Sequence, residues 1–189
     1  MTAALAPVWF TARAAGIGAL FGASLTVAIG ILMAARVKLP GLGRIEIRAL
    51  HEPIALATLA LIAVHGVALL ADPVLKAGLT GILVPFASPW KPVGVALGQI
   101  AAYGIAGLSL TYYARRALGA KRWQKAHRAI PVFWLLGLMH GLVVGTDAWT
   151  WWTIAVIAPP ALAAWILLVA RWMPDEKPKD IRTAGTLPG

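Results

Sequence analysis

The chain contains four histidines and no cysteine. The histidines form two pairs, His51 with His65 and His127 with His140, spaced 14 and 13 residues apart. Imidazole is a neutral nitrogen ligand near pH 7, and two facing imidazoles suit the iron of a haem, giving a six-coordinate centre fit for electron transfer. The lack of cysteine excludes disulfides, thiolate metal sites, iron–sulfur clusters and covalent c-type haem attachment. Any one histidine reads as readily as a polar contact between helices. Four in two matched sets are harder to explain that way, because ionisable groups are costly at membrane depth.

The elements that must position these side chains are legible from hydropathy. Charge-free runs of about 20 residues are long enough to cross a bilayer. They cover 14–35, 53–71, 92–114, 129–146 and 148–170, with the second helix expected to begin near Arg48 and the fourth near Lys125. The Pro159–Pro160 pair is expected to kink the fifth. The sequence thus predicts an all-α integral membrane protein, a five-helix transmembrane bundle. Hydrophobic residues make up 60% of the chain and charged residues 13%, against about a quarter charged in soluble domains. The net charge of +10 does not point to nucleic acid, since the basic residues cluster between apolar runs. Fourteen of the 17 basic residues fall on one predicted side, from Arg36 to Arg48, Arg115 to Arg128 and Arg171 to Arg182. Only Arg13, Lys76 and Lys91 fall on the other. By the positive-inside rule the N-terminus lies outside and the C-terminus inside. Tryptophans agree, with Trp9, Trp90, Trp149, Trp151 and Trp152 at the outer border and Trp123 and Trp172 at the inner one. The N-terminus lacks a basic n-region and reads as a first transmembrane helix, not a signal peptide. One transmembrane domain is expected over 1–173 and a disordered cytoplasmic tail over 174–189, which is rich in proline, glycine and charge. The loop from Asp72 to Lys91 is expected to cap the outer end.

In this topology the second and fourth helices both run from inside to outside. His51 and His127 then lie near the inner face, and His65 and His140 near the outer. At 1.5 Å per residue the two levels are about 20 Å apart. Helical phase treats the pairs differently. A 14-residue step returns within about 40° of the same face, whereas a 13-residue step leaves His127 and His140 about 140° apart. Pro131 lies between them, and a kink or π-type turn there is needed to bring both to one side. A straight helix with divergent imidazoles excludes a two-haem arrangement. Gly66 and Gly141 follow the outer histidines, and Gly137 lies one turn before His140. They offer backbone without side chains for the edge of a macrocycle, or simply close helix packing.

The segments HEPIALATLALIAVHG (51–66) and HRAIPVFWLLGLMHG (127–141) carry a resemblance. The chain resembles the ferric reductase-like transmembrane domain, the haem module of NADPH oxidases and ferric reductases, over roughly Thr11 to Arg171. The resemblance implies two b-type haems, one held by His51 and His127 and the other by His65 and His140. It also implies the helix order and orientation given above. The family's large enzymes add flavin and nicotinamide domains. No glycine-rich dinucleotide fingerprint occurs here, so this chain is expected to be the membrane haem subunit of an oxidoreductase without its own NADPH or flavin domain. Leu69 stands where NADPH oxidases have a further histidine, which argues against superoxide production, while Arg13 looks like their basic residue at the outer end of the first helix. The short haem membrane subunit of the bacterial methionine sulfoxide reductase system is a second likeness, and it implies a bacterial cell membrane.

Arg44, Arg48, Lys121, Arg122 and Arg128 are candidate partners for inner-haem propionates, Arg48 and Arg128 above all. Lys91 and Trp90 are candidates at the outer level, and Gln99 and Tyr103 for hydrogen bonds near the outer haem. Glu52 either marks a helix start or takes up protons near the inner haem. The expected partners are the bilayer, a cytoplasmic flavin reductase or membrane quinol as donor, and an external acceptor such as ferric chelate, oxygen or a protein. Two other readings remain. One is a non-redox transporter or proton channel whose histidines line a water path. The other is a haem-containing sensor or assembly subunit that passes no electrons onward.

Overall fold

The computed structural model describes residues 6–35, 41, 43–171 and 173. The predicted tail at 174–189, and Arg36, Lys38 and Trp172, lie outside the described residues. Every regular element among the described residues is helical: α1 (Ala6–Ala35), α2 (Arg44–Leu70), α3 (Gly78–Leu83), α4 (Pro92–Leu110), α5 (Arg115–Leu118), α6 (Ala120–His127), α7 (Ile130–Val144) and α8 (Trp151–Ala170). Five stretches are long and apolar enough to cross a membrane: Pro7–Ala35, Ile45–Leu70, Pro92–Leu110, Ala120–Val144 and Trp151–Ala170. This is the makeup of a multi-pass membrane protein.

α1 starts eight residues earlier than the charge-free run suggests, because Arg13 is accommodated within the helix. The fourth span is two helices. α6 ends at His127, and Arg128 and Ala129 form a turn before α7 begins. Pro131 sits in the first turn of α7, where its missing N–H costs nothing. The bonds from Ala129 N–H to the Ala126 carbonyl and from Val132 N–H to the Ala129 carbonyl, both 3.0 Å, span three residues each. Such 3₁₀ turns wind more tightly than an α-helix. Overwinding here advances the phase of His140 relative to His127, in the sense needed to close the 13-residue gap.

α1 is the central post. It packs most extensively against α2 and α8 and also against α7, while α4 pairs with α7. The α1–α2 and α4–α7 pairs are antiparallel. Gly16, Gly18, Gly22 and Gly30 on α1 face His65, Leu61, Thr58 and His51 on α2. Gly94, Gly98 and Gly104 on α4 face Val143, His140 and Phe133 on α7. Each histidine helix therefore lies on a helix whose contact face is stripped to glycine, the close approach that drives association in lipid. Between α1, α7 and α8 lies a core of Ala23, Val27, Ile31, Trp134 and Ala164. Trp134, 1% exposed, donates its indole N–H to Ser24 Oγ at 2.9 Å, so the one polar atom of this large ring is satisfied.

The segment expected to cap the outer end does more than cover it. α3 is wedged against α2 and fastened to α4. Gln99 Nε2 donates to the Gly81 and Ile82 carbonyls at 2.9 and 2.8 Å, and the Tyr103 hydroxyl donates to the Leu83 carbonyl. Gln99 and Tyr103 thus satisfy the open carbonyl end of α3, a backbone need that is acute in lipid. This replaces the expectation that they serve the outer histidine level.

Candidate functional site

The four histidines come together as two facing pairs. The His51 and His127 rings have centroids 6.5 Å apart and planes at 74°. The His65 and His140 rings have centroids 6.3 Å apart and planes at 82°. The turn at Arg128–Ala129 has removed the divergence expected of a straight helix. α2 and α7 make little direct contact with one another, so the two pairs face each other across a gap.

The separation is informative. An imidazole nitrogen binds a metal at about 2.0–2.1 Å, and its ring centre lies about 1.1 Å behind it, so imidazoles on opposite sides of one ion have centroids roughly 6.3 Å apart. A direct hydrogen bond between the rings would bring the centroids to roughly 5 Å. Both pairs match the spacing set by an intervening ion.

The outward nitrogens are held by backbone. His65 Nδ1 lies 2.7 Å from the Ala12 carbonyl, and His140 Nδ1 lies 2.8 Å from the Gly94 carbonyl. A carbonyl only accepts, so each Nδ1 carries the proton and each Nε2 presents its lone pair towards the gap. The same device recurs. His65 rests on Gly16, four residues after Ala12, and His140 rests on Gly98, four residues after Gly94. His51 rests on Gly30, four residues after Thr26. Its Nδ1 is buried, however, and completes no hydrogen bond among the described residues. His127 is the exception. Its Nδ1 lies 3.4 Å from the Leu108 carbonyl, four residues after which stands Tyr112, not glycine, and its ring stacks on Trp123 at 4.9 Å. Gly16, Gly30 and Gly98 were not singled out from sequence. A signal was there, since Gly16 and Gly30 share the 14-residue spacing of His51 and His65.

A cleft of about 1050 Å³ opens at the His51–His127 level, at the upper end of the size range of ligand pockets, about 300–1,000 Å³. Arg48 and Arg128 line it, joined by Arg115 and Arg171. Glu52 lines it too, its Oε1 accepting from the Tyr113 hydroxyl at 2.8 Å. That bond, to a carboxylate, holds the Tyr113 phenol above its ordinary pKa.

At the other level the sequence candidates divide. A Cβ at Gly66 would meet nothing within 4 Å, so this position faces open space. A Cβ at Gly141 would come 2.7 Å from Leu20, so Gly141 lets α7 approach α1. Arg13 pairs with Asp147 and stacks on Trp9 at 3.8 Å, in place of a free interfacial cation. Lys91 Nζ donates to the Val143 carbonyl at 2.7 Å, at the C-terminal end of α7, and has an acceptor there in protein backbone.

Fold and site define a class: an all-α membrane bundle whose two histidine helices present two facing imidazole pairs. No family model, characterised protein or solved structure matches the chain.

Proposed function

We propose that this chain is a di-haem b-type membrane cytochrome, similar to the ferric reductase-like transmembrane domain. It carries electrons from a cytoplasmic flavoprotein or membrane quinol to an external acceptor. The observation that carries the reading is the pair of imidazole separations, 6.5 and 6.3 Å, at two levels of one bundle. No cluster of three or more histidine, cysteine or acidic residues occurs among the described residues. A bare metal ion such as zinc seeks about four ligands. Two axial imidazoles suffice only where a macrocycle supplies the other ligands.

A haem at each level supplies one-electron transfer across the bilayer. His51 and His127 would hold one, His65 and His140 the other. The backbone bonds to His65 and His140 fix the tautomer that ligation requires. Arg48 and Arg128 lie where carboxylates of the first haem need cations. The arginines around this cleft, read by the positive-inside rule, support a cytoplasmic position for it, with the His65–His140 level outside. The likeness to the short methionine sulfoxide reductase subunit supports a bacterial cell membrane and a donor and acceptor on separate proteins.

Purified from haem-replete cells, the protein is expected to show low-spin b-type bands on reduction, with two haems per chain. His51→Ala removes one haem and His65→Ala the other. Reduced protein in vesicles passes electrons to an impermeant acceptor outside. A colourless protein refutes the reading and favours a histidine-lined proton or solute path.

A further inference from the structure

The two imidazole pairs are not held alike, and the difference has a chemical consequence. At His65 and His140 both Nδ1 atoms make short bonds to backbone carbonyls, 2.7 and 2.8 Å. At His51 the corresponding nitrogen is buried beside the Thr26 backbone and completes no hydrogen bond of normal geometry among the described residues, and at His127 the contact is 3.4 Å, beyond the usual range of about 2.7–3.2 Å. A hydrogen bond at Nδ1 raises the basicity of Nε2 and holds the ring in line with the metal. Removing such a partner typically costs about 10–100-fold in metal affinity.

His127 is also the least anchored of the four in the chain. It is the last residue of α6, an eight-residue helix with no buried residue, and the Arg128–Ala129 turn follows directly. His51, His65 and His140 all sit inside long helices with continuing backbone on both sides. Glycine lies against each of those three rings, whereas four residues after Leu108 the chain has left α4 and holds Tyr112. A ring that swings off the gap still has the indole of Trp123 to stack on.

We propose that the His51–His127 level is an exchangeable coordination site. A small neutral diatomic or nitrogen ligand, with carbon monoxide and imidazole as probes, takes the place of His127 while His51 stays bound. This rests on the di-haem reading. The bond that breaks is iron to His127 Nε2, the bond that forms is iron to the incoming ligand, and neither oxidation state nor proton count changes. The His65–His140 level stays closed.

The test is a carbon monoxide titration of the full chain in nanodiscs, reduced anaerobically with dithionite and followed in the Soret band. Binding is expected at one haem of the two, roughly 10–100-fold tighter than at the other. His127→Gly is expected to keep that one-haem amplitude, bind carbon monoxide more tightly, and become six-coordinate again with added imidazole. The wild-type titration decides by itself if a variant fails to fold. The proposal is overturned if the wild type binds no carbon monoxide, or binds it equally at both haems. It is also overturned if His127→Gly leaves the affinity unchanged. A reduced spectrum with two low-spin haems and no ligand binding overturns this proposal alone, whereas a chain without haem overturns the di-haem reading with it.

Discussion

Replacing Gly98 by alanine is the sharpest perturbation of the His65–His140 level. A Cβ there would stand 2.5 Å from His140 Nδ1 and 2.7 Å from both Cε1 and Cγ, against ordinary contacts of 3.4–4 Å. The ring is rigid and met near its root, so it must retreat by roughly 1 Å, several times the tolerance of about 0.2 Å for a metal–ligand bond. It also leaves the Gly94 carbonyl, whose bond to Nδ1 is 2.8 Å. Overpacking costs about 1–3 kcal/mol, and the lost hydrogen bond about 10–100-fold in affinity. Low-spin haem should fall from two to about one per chain, with the His51–His127 haem untouched. Gly16→Ala meets His65 at 3.0 Å and should act more weakly, and Gly30→Ala meets His51 at 3.3 Å and weaker still. The assay is haem-to-protein ratio with a redox titration for each variant. A Gly98→Ala protein with two unperturbed low-spin haems, or the reverse order of severity, refutes the reasoning.

Asp147→Asn removes the partner of Arg13, whose side chain is 23% exposed, and should lower stability by roughly 1–3 kcal/mol in thermal unfolding, with no further loss in the Arg13→Gln, Asp147→Asn double variant. Gln99→Leu frees the carbonyls of Gly81 and Ile82, and hydrogen exchange should quicken over α3 while both haem bands persist. Tyr113 has a raised pKa, so its bond to Glu52 contributes fully below the free phenol value of about 10 and is lost as pH rises through the higher folded value. A spectrophotometric titration should therefore lose its last tyrosinate step in Tyr113→Phe, and an unchanged final step would count against the bond. The ring planes at 74° and 82° predict low-spin electron paramagnetic resonance signals with a large gmax at both levels, where parallel imidazoles would give rhombic ones.

The histidine levels were legible because hydropathy and spacing are both one-dimensional. The run from Pro53 to Ala71 shows a spanning helix, and 14 residues show how far its two histidines stand apart. The phase across Pro131 was not legible. It depends on two bonds that span three residues in place of four, a local winding that spacing along the chain does not encode. The partners of Arg13, Lys91, Gln99 and Tyr103 were not legible for a common reason. Sequence shows that a polar group sits near the membrane border but not which backbone or carboxylate will satisfy it. In each case the partner lies at least 17 residues away, in another element.

The glycines make the deeper point about how such a site is built. A donor nitrogen on one helix can reach a carbonyl of its neighbour only where the axes come close, and a Cβ in the way forbids that. On α1 and α4 the residue four after the accepting carbonyl is the one that meets the ring, because positions i and i+4 share a helix face. Glycine at that position and a carbonyl one turn earlier therefore act as one unit. His65 and His140 have both halves, with bonds of 2.7 and 2.8 Å. His51 has the glycine without a completed bond, and His127 has a longer bond without the glycine. α4 ends at Leu110, so no regular helix remains below Leu108 to present a glycine to His127. The weaker grip at that level is thus a consequence of where α4 stops.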